Sequence, residues 1–193
     1  EVLIEKERDN HDLNYDPFSY GALLIYSLIT IPTDGKGDNY QVMGRGKAPL
    51  RLISIDNDRT TKHIIEKNGE KRYIRGKNIL FLLPPMIEAI PAWIKNRFTN
   101  DFHPQVLLET WLGALTSYEE TTGKYFTRHN NTQTLTKFET KYYQMSGLGG
   151  VSLGMFDRLC RLKELLTRHE ITFQKVLNEL FPLAGTYYEY LRA

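Results

Sequence analysis

Three polar side chains in two neighbouring segments have the types and the spacing that phosphoryl transfer from a nucleotide requires. Asp34 and Asn39 share one loop rich in Gly and Asp, and Asp56 follows the next apolar stretch. In such a reaction one aspartate orients or deprotonates the attacking hydroxyl, while an asparagine and a second aspartate hold the Mg²⁺ that bridges the phosphates. The pattern therefore indicates a candidate site for this chemistry.

The elements around these residues are predicted to bring them together. A largely buried helix begins near Pro17 and ends near Thr30, because Pro32 stops it. Residues 40–43 alternate like a short strand, and the β-branched, apolar run 50–55 reads as a second strand. A hairpin of these two strands would place the loop before residue 40 beside the end of the second strand.

The rest of the chain is predicted to be mostly helical. We expect a helix over 86–94 that Pro91 kinks or splits, and another that Pro104 opens. Trp93 and Trp111 fall on apolar faces and are expected in the core. Further helices are predicted near 135–143, over 153–166 and over 173–180, the last capped by Thr172. The fold class is therefore α+β, mostly helical with a small β-hairpin that carries the metal site.

The two polar segments also resemble a known family. The matching residues are Thr33-Asp34-Gly35-Lys36-Gly37-Asp38-Asn39-Tyr40 and Leu52-Ile53-Ser54-Ile55-Asp56-Asn57-Asp58. They are similar to the catalytic and metal-binding loops of the phosphatidylinositol 3/4-kinase superfamily, above all to type II phosphatidylinositol 4-kinases, whose loops read approximately T-D-R-G-N-D-N-W and I-D-N-G. The run 79–84 resembles the aromatic and Leu-Pro run that follows in that family.

The resemblance implies that residues 1–193 form the carboxy-terminal lobe of a kinase-like fold. Residues 20–90 would carry the catalytic and metal-binding loops, and 91–193 a helical subdomain. Asp34 matches the catalytic aspartate, and Asn39 and Asp56 match the metal ligands. The implied cofactors are ATP and Mg²⁺, with Asp34, Asn39 and Asp56 at the cofactor.

Two residues depart from the family pattern. Gly35 replaces the basic residue that commonly follows the catalytic aspartate, and Lys36 is expected to supply the lost positive charge. Asp58 stands where type II enzymes have glycine, so it is either a further metal ligand or a turn residue. The 19 residues before Tyr20 hold no glycine-rich loop and no lysine-bearing strand. We therefore expect the amino-terminal lobe upstream of Glu1, the alternative being a degenerate relative that has lost it.

The charge is unevenly distributed. The formal net charge is +2, yet residues 45–77 carry ten Lys or Arg against four Asp or Glu. Such a segment attracts anions, either an acidic membrane surface or an anionic acceptor, although a solvated basic loop has the same composition. A nucleic-acid partner is not expected, because Tyr73 is the only aromatic residue among these charges that could stack on bases.

The composition excludes several classes of protein. The hydrophobic fraction of 41% rules out a disordered chain, and the single Cys160 excludes an internal disulfide. There is no apolar run long enough to span a bilayer. The expected location is the cytoplasm or a membrane periphery, or the host cytosol if the chain is a bacterial effector, which its divergence would suit.

Two functional readings remain open. One is an ATP-dependent phosphotransferase acting on a hydroxyl of a phosphoinositide or a protein. The other is a catalytically inactive, kinase-like scaffold that binds protein partners through its helical half. Taken singly, each loop has an ordinary structural explanation, since Asp, Gly and Asn favour turns and caps. Their order and spacing favour the first reading.

Overall fold

The computed structural model describes residues 14–193 with several gaps. The described ranges are 14–30, 32, 35–44, 48–55, 65–67, 70–72, 77–128 and 149–193. Asp34, Asp56 and Asp58 lie outside them, as does the helix expected near 135–143. Within these ranges the protein is mostly helical with two small antiparallel hairpins, in agreement with the predicted α+β class.

Helix α1, Pro17–Thr30, has the predicted bounds. Asp16 caps it, because its carboxylate accepts a 2.9 Å hydrogen bond from the backbone N–H of Ser19. This bond lowers the pKa of Asp16. The inward face of α1 is buried, with Leu24 and Leu28 almost inaccessible to solvent.

Strands β1, Tyr40–Met43, and β2, Arg51–Ser54, form the predicted hairpin. They are antiparallel, with Tyr40 opposite Ser54 and Val42 opposite Leu52. Val42 and Leu52 are both buried, so the hairpin turns one face inward. The backbone N–H of Leu52 donates to the hydroxyl of Ser19 at 3.1 Å, which fastens β2 to α1.

A second antiparallel hairpin lies in the basic segment. It consists of β3, Ile65–Lys67, and β4, Glu70–Arg72, with Glu66 opposite Lys71. This hairpin was not predicted from the sequence, where the segment was expected only to be strongly basic. The strands are three residues each and lack an apolar alternation that would have predicted them.

Proline breaks up the helix expected over 86–94. The chain instead forms 3₁₀ turns at Ile79–Leu82 and Pro84–Met86, then the short helix α2, Ala92–Asn96, and a π-helical turn, Arg97–Asp101. Pro91 immediately precedes α2, as expected of a residue that cannot donate a backbone hydrogen bond. The prediction that Trp93 is a core residue is wrong: it is 42% exposed and stacks on Phe18.

Residues 102–160 form one compact unit, and residues 1–101 with 161–193 form another. The first unit contains helix α3, Pro104–Arg128, which begins at the predicted proline. Helix α4, Gly149–Leu166, spans the apolar stripe predicted over 153–166. No helix in the described ranges is long and apolar enough to cross a membrane.

Two helices close the described chain. Helix α5, Phe173–Leu180, is capped by the Thr172 hydroxyl, which accepts from the backbone N–H of Lys175 at 3.1 Å, as predicted. Helix α6, Pro182–Arg192, was not predicted. It lies close against α5, since a Cβ added at Gly185 would come within 2.0 Å of the side-chain oxygen of Asn178.

Candidate functional site

Two of the predicted site residues, Lys36 and Asn39, are described by the structure. Lys36 is exposed, whereas Asn39 is buried at 7% exposure in the 3₁₀ turn Gly37–Asn39 that leads into β1. The catalytic candidate Asp34 and the ligand candidates Asp56 and Asp58 lie outside the described residues. The geometry of their covalent neighbours, Gly35 and Ile55, is described.

Asn39 joins the two predicted loops through its backbone. Its N–H donates to the carbonyl of Lys36 at 3.1 Å, and its carbonyl accepts from the N–H of Ile55 at 2.9 Å. The first bond folds the loop after Asp34 back on itself, and the second ties it to the end of β2. Lys36, Asn39 and the residue that precedes Asp56 therefore lie side by side.

Gly35 is held on both sides by the segment 77–79. Its N–H donates to the carbonyl of Lys77 at 2.8 Å, and its carbonyl accepts from the N–H of Ile79 at 2.7 Å. A Cβ at this position would lie 2.6 Å from the Lys77 carbonyl oxygen and 2.8 Å from the Cα of Asn78. This close approach explains why glycine, and no basic residue, follows Asp34.

Asn78 is the centre of a buried polar network beneath this loop. Its side-chain amide donates to the hydroxyl of Ser27 at 2.6 Å and accepts from the N–H of Leu80 at 2.9 Å. Its own backbone N–H donates to the phenolic oxygen of Tyr188 at 2.8 Å. Asn78 is only 1% exposed, so these bonds satisfy a polar group that would otherwise be costly to bury.

Two tyrosines complete the network. Burial raises the pKa of Tyr40, although hydrogen bonds with the side chains of Asn78 and Ser27 oppose the shift. Burial also raises the pKa of Tyr188, opposed by the hydrogen bond from the Asn78 backbone. Both hydroxyls therefore stay protonated at neutral pH, and they act as hydrogen-bonding groups that fix the 77–79 segment.

A groove of about 760 Å³ opens beside Gly35. One side consists of the loop and the 77–79 segment, and the other is helix α6. The lining residues are Gly35, Lys36, Lys77, Asn78, Ile79, Leu82, Leu183, Ala184, Thr186, Tyr187, Tyr188 and Leu191. The candidate loop is therefore accessible along one edge from a largely apolar cleft.

Sequence reasoning missed Ser27, Asn78 and Tyr188. Ser27 is a lone polar residue in an apolar helix, Asn78 follows a lysine at the start of an apolar run, and Tyr188 lies among other tyrosines. None of these patterns distinguishes a buried network from an exposed position. Asn78 and Tyr188 are separated by 110 residues, and Asn78 and Ser27 by 51. A local pattern contains no information about such pairs.

Comparison with known proteins identifies no relative. No protein-family model, no curated protein and no solved structure matches the chain.

Proposed function

We propose that the chain is an ATP-dependent, Mg²⁺-assisted phosphotransferase with a kinase-like carboxy-terminal lobe. The supporting observation is the pair of backbone hydrogen bonds that link Asn39 to Lys36 and to Ile55. They connect the loop that begins with Asp34 to the strand that leads into Asp56. A metal-assisted transfer needs its catalytic aspartate and its metal ligands on two such adjacent segments.

Each candidate residue has a distinct role in this proposal. Asp34 orients the acceptor hydroxyl and receives its proton, and Lys36 adds positive charge beside it. Asn39 and Asp56 hold the metal, and Asp58 is available as a further ligand. One amide and two carboxylates are oxygen donors of the kind Mg²⁺ binds. When bound, ATP supplies the phosphoryl group and the metal neutralises the charge that develops on it.

The acceptor in this proposal is a hydroxyl of a phosphoinositide or of a protein. The basic segment 45–77 supports an anionic acceptor or contact with an anionic membrane, because its charge is strongly positive. Lys36 and Lys77 extend that positive charge to the groove beside Gly35.

The test is a transfer assay with the full-length protein. It is incubated with γ-labelled ATP, Mg²⁺ and a panel of phosphoinositides and proteins. Asp34→Asn keeps the size of the side chain but removes the base, so transfer should fall by about two orders of magnitude or more. The matched control is Asp38→Asn, the same change at an exposed position of the same loop, which should retain activity.

A kinase-like scaffold without catalysis is the second candidate. It is favoured by the large apolar side chains that α6 exposes, among them Leu183 and Tyr187. A scaffold would show no transfer in the assay above, and Asp34→Asn and Asp38→Asn would then be indistinguishable. Labelled product that disappears only with Asp34→Asn would exclude the scaffold.

A further inference from the structure

Helix α6 has two apolar faces. One is buried within its unit and includes Ala184 and Tyr188. The other exposes Leu183, Tyr187 and Leu191, which are 73%, 53% and 45% accessible. Their spacing of four residues places them in one row along the helix, so they form a continuous apolar ridge.

This ridge is one wall of the groove beside Gly35. Ile79 and Leu82 contribute apolar surface to the opposite wall. Leu183, Tyr187 and Leu191 are exposed and line the groove. A groove lined by an apolar row at helical spacing is suited to a second helix, whose side chains fill the spaces between those of the ridge.

The described charges of the groove are basic. Among the described residues that line it, the charged side chains are Lys36 and Lys77, both exposed. Lys36 and Lys77 neighbour Gly35 and Asn78, which pair with each other. An occupant should therefore be apolar along the ridge and acidic where it meets this pair of lysines.

We propose that the groove docks an acidic amphipathic helix of a partner protein. Its apolar residues, at the i, i+4, i+7 positions typical of helix-in-groove recognition, would pack on Leu183, Tyr187 and Leu191. Its carboxylates would meet Lys36 and Lys77. Resting on the proposed function, this identifies the acceptor as a protein, since Gly35 and Lys36, which line the groove, directly follow Asp34.

The test uses a designed, fluorescein-labelled peptide of about 18 residues, five helical turns, built from Leu, Ala and Glu with its leucines on one face. One control peptide has Lys in place of Glu, and another has the same composition with the leucines scattered. Binding to the full-length protein is followed by fluorescence anisotropy without nucleotide. The acidic amphipathic peptide should bind about tenfold or more tightly than either control.

Protein variants then locate the binding. Leu183→Ser with Leu191→Ser should weaken binding about tenfold or more, and Lys77→Glu should reduce the preference for the acidic over the basic peptide. The matched control is Tyr190→Ser, on the same helix at 79% exposure but outside the groove lining, which should bind normally. Circular dichroism confirms that each variant keeps its helical content.

Several results would overturn the proposal. Failure of the acidic peptide to bind would do so, as would equal binding of the scattered-leucine peptide or an unchanged affinity in the Leu183 and Leu191 variant. Anionic vesicles that bind through the ridge while the peptide does not would identify a lipid surface instead. Because no nucleotide is present, docking can succeed where phosphoryl transfer fails, so the two proposals are tested separately.

Discussion

The backbone N–H of Asn78 donates a 2.8 Å hydrogen bond to the phenolic oxygen of Tyr188 on α6. Asn78 also pairs with Gly35 in the candidate loop. Tyr188 therefore contacts the residue on which the loop rests. The ring of Tyr188 also makes an edge-to-face contact with Phe81, at 5.2 Å between centroids. Helix α6 is therefore part of the structure that holds the loop in place.

The first prediction follows from this bond. Tyr188→Phe keeps the ring but removes the acceptor, which leaves the buried N–H of Asn78 unsatisfied. We expect the free energy of unfolding to fall by about 1–3 kcal/mol. Urea denaturation measures it, with Tyr187→Phe as the control, because Tyr187 is half exposed. Equal stability of the two variants would mean that the bond contributes nothing.

The second prediction concerns the close approach at Gly35. Gly35→Ala forces a Cβ against the Lys77 carbonyl, so the 77–79 segment must shift and stability should fall by about 1–3 kcal/mol. Gly113→Ala is the matched control: its Cβ would have open space within α3, and it should stabilise by about 0.5–1 kcal/mol. Thermal unfolding distinguishes the two. A neutral Gly35→Ala would show that the loop tolerates displacement.

The third prediction tests the metal assignment. Nucleotide affinity of the full-length protein, measured by calorimetry, should rise when Mg²⁺ or Mn²⁺ is added. Asp56→Ala should abolish that increase, and Asp38→Ala, in the other loop, should preserve it. Nucleotide binding that is indifferent to the metal in the wild type would contradict the roles given to Asn39 and Asp56.

The fourth prediction is a pH dependence that arises at the cap of α1. The hydrogen bond from the Ser19 N–H holds the pKa of Asp16 below its ordinary value of 3.8. A carboxyl whose pKa is depressed by folding stabilises the protein above its unfolded pKa, and this contribution is lost as pH falls through the folded pKa. Stability should therefore decrease below about pH 4 by more in the wild type than in Asp16→Asn, which still caps the helix. Parallel pH profiles of the two proteins would refute this.

The fifth prediction concerns the basic segment. If it meets anionic lipid, each Lys or Arg near the surface contributes on the order of 1 kcal/mol, and salt weakens the binding. Liposome flotation should recover more protein with anionic than with neutral vesicles, and Lys71→Glu with Arg72→Glu should reduce the difference. Equal recovery on both vesicles would favour a solvated basic segment.

The parts of the fold that sequence could predict are those determined by neighbouring residues. Helix α1 lies between Pro17 and Pro32, and the hairpin follows from two short alternating or β-branched runs, so both were predicted correctly. Helix α6 was missed because Gly185 weakens its helical pattern, although this glycine allows close contact with Asn178.

The candidate site, too, could be predicted from the sequence only in part. The types and order of Asp34, Asn39 and Asp56 could be read from the chain, and the hairpin that brings their segments together was predicted from two local runs. The support of the loop could not be predicted, because Asn78 depends on Ser27 and Tyr188, distant in sequence. Trp93 was assigned to the core from its apolar helical face, yet it lies at the surface against Phe18.

The contacts of α6 also bear on the order of folding. Tyr188 reaches Asn78, and the Arg192 guanidinium donates to the carbonyl of Phe81 and to the side chain of Gln174. Partners separated by 110 and 111 residues must close long loops, whose entropy is lost before the contact forms. During synthesis these bonds cannot form until α6 has left the ribosome, so the segment that supports the candidate loop gains its contacts with α6 only after the helix has been made.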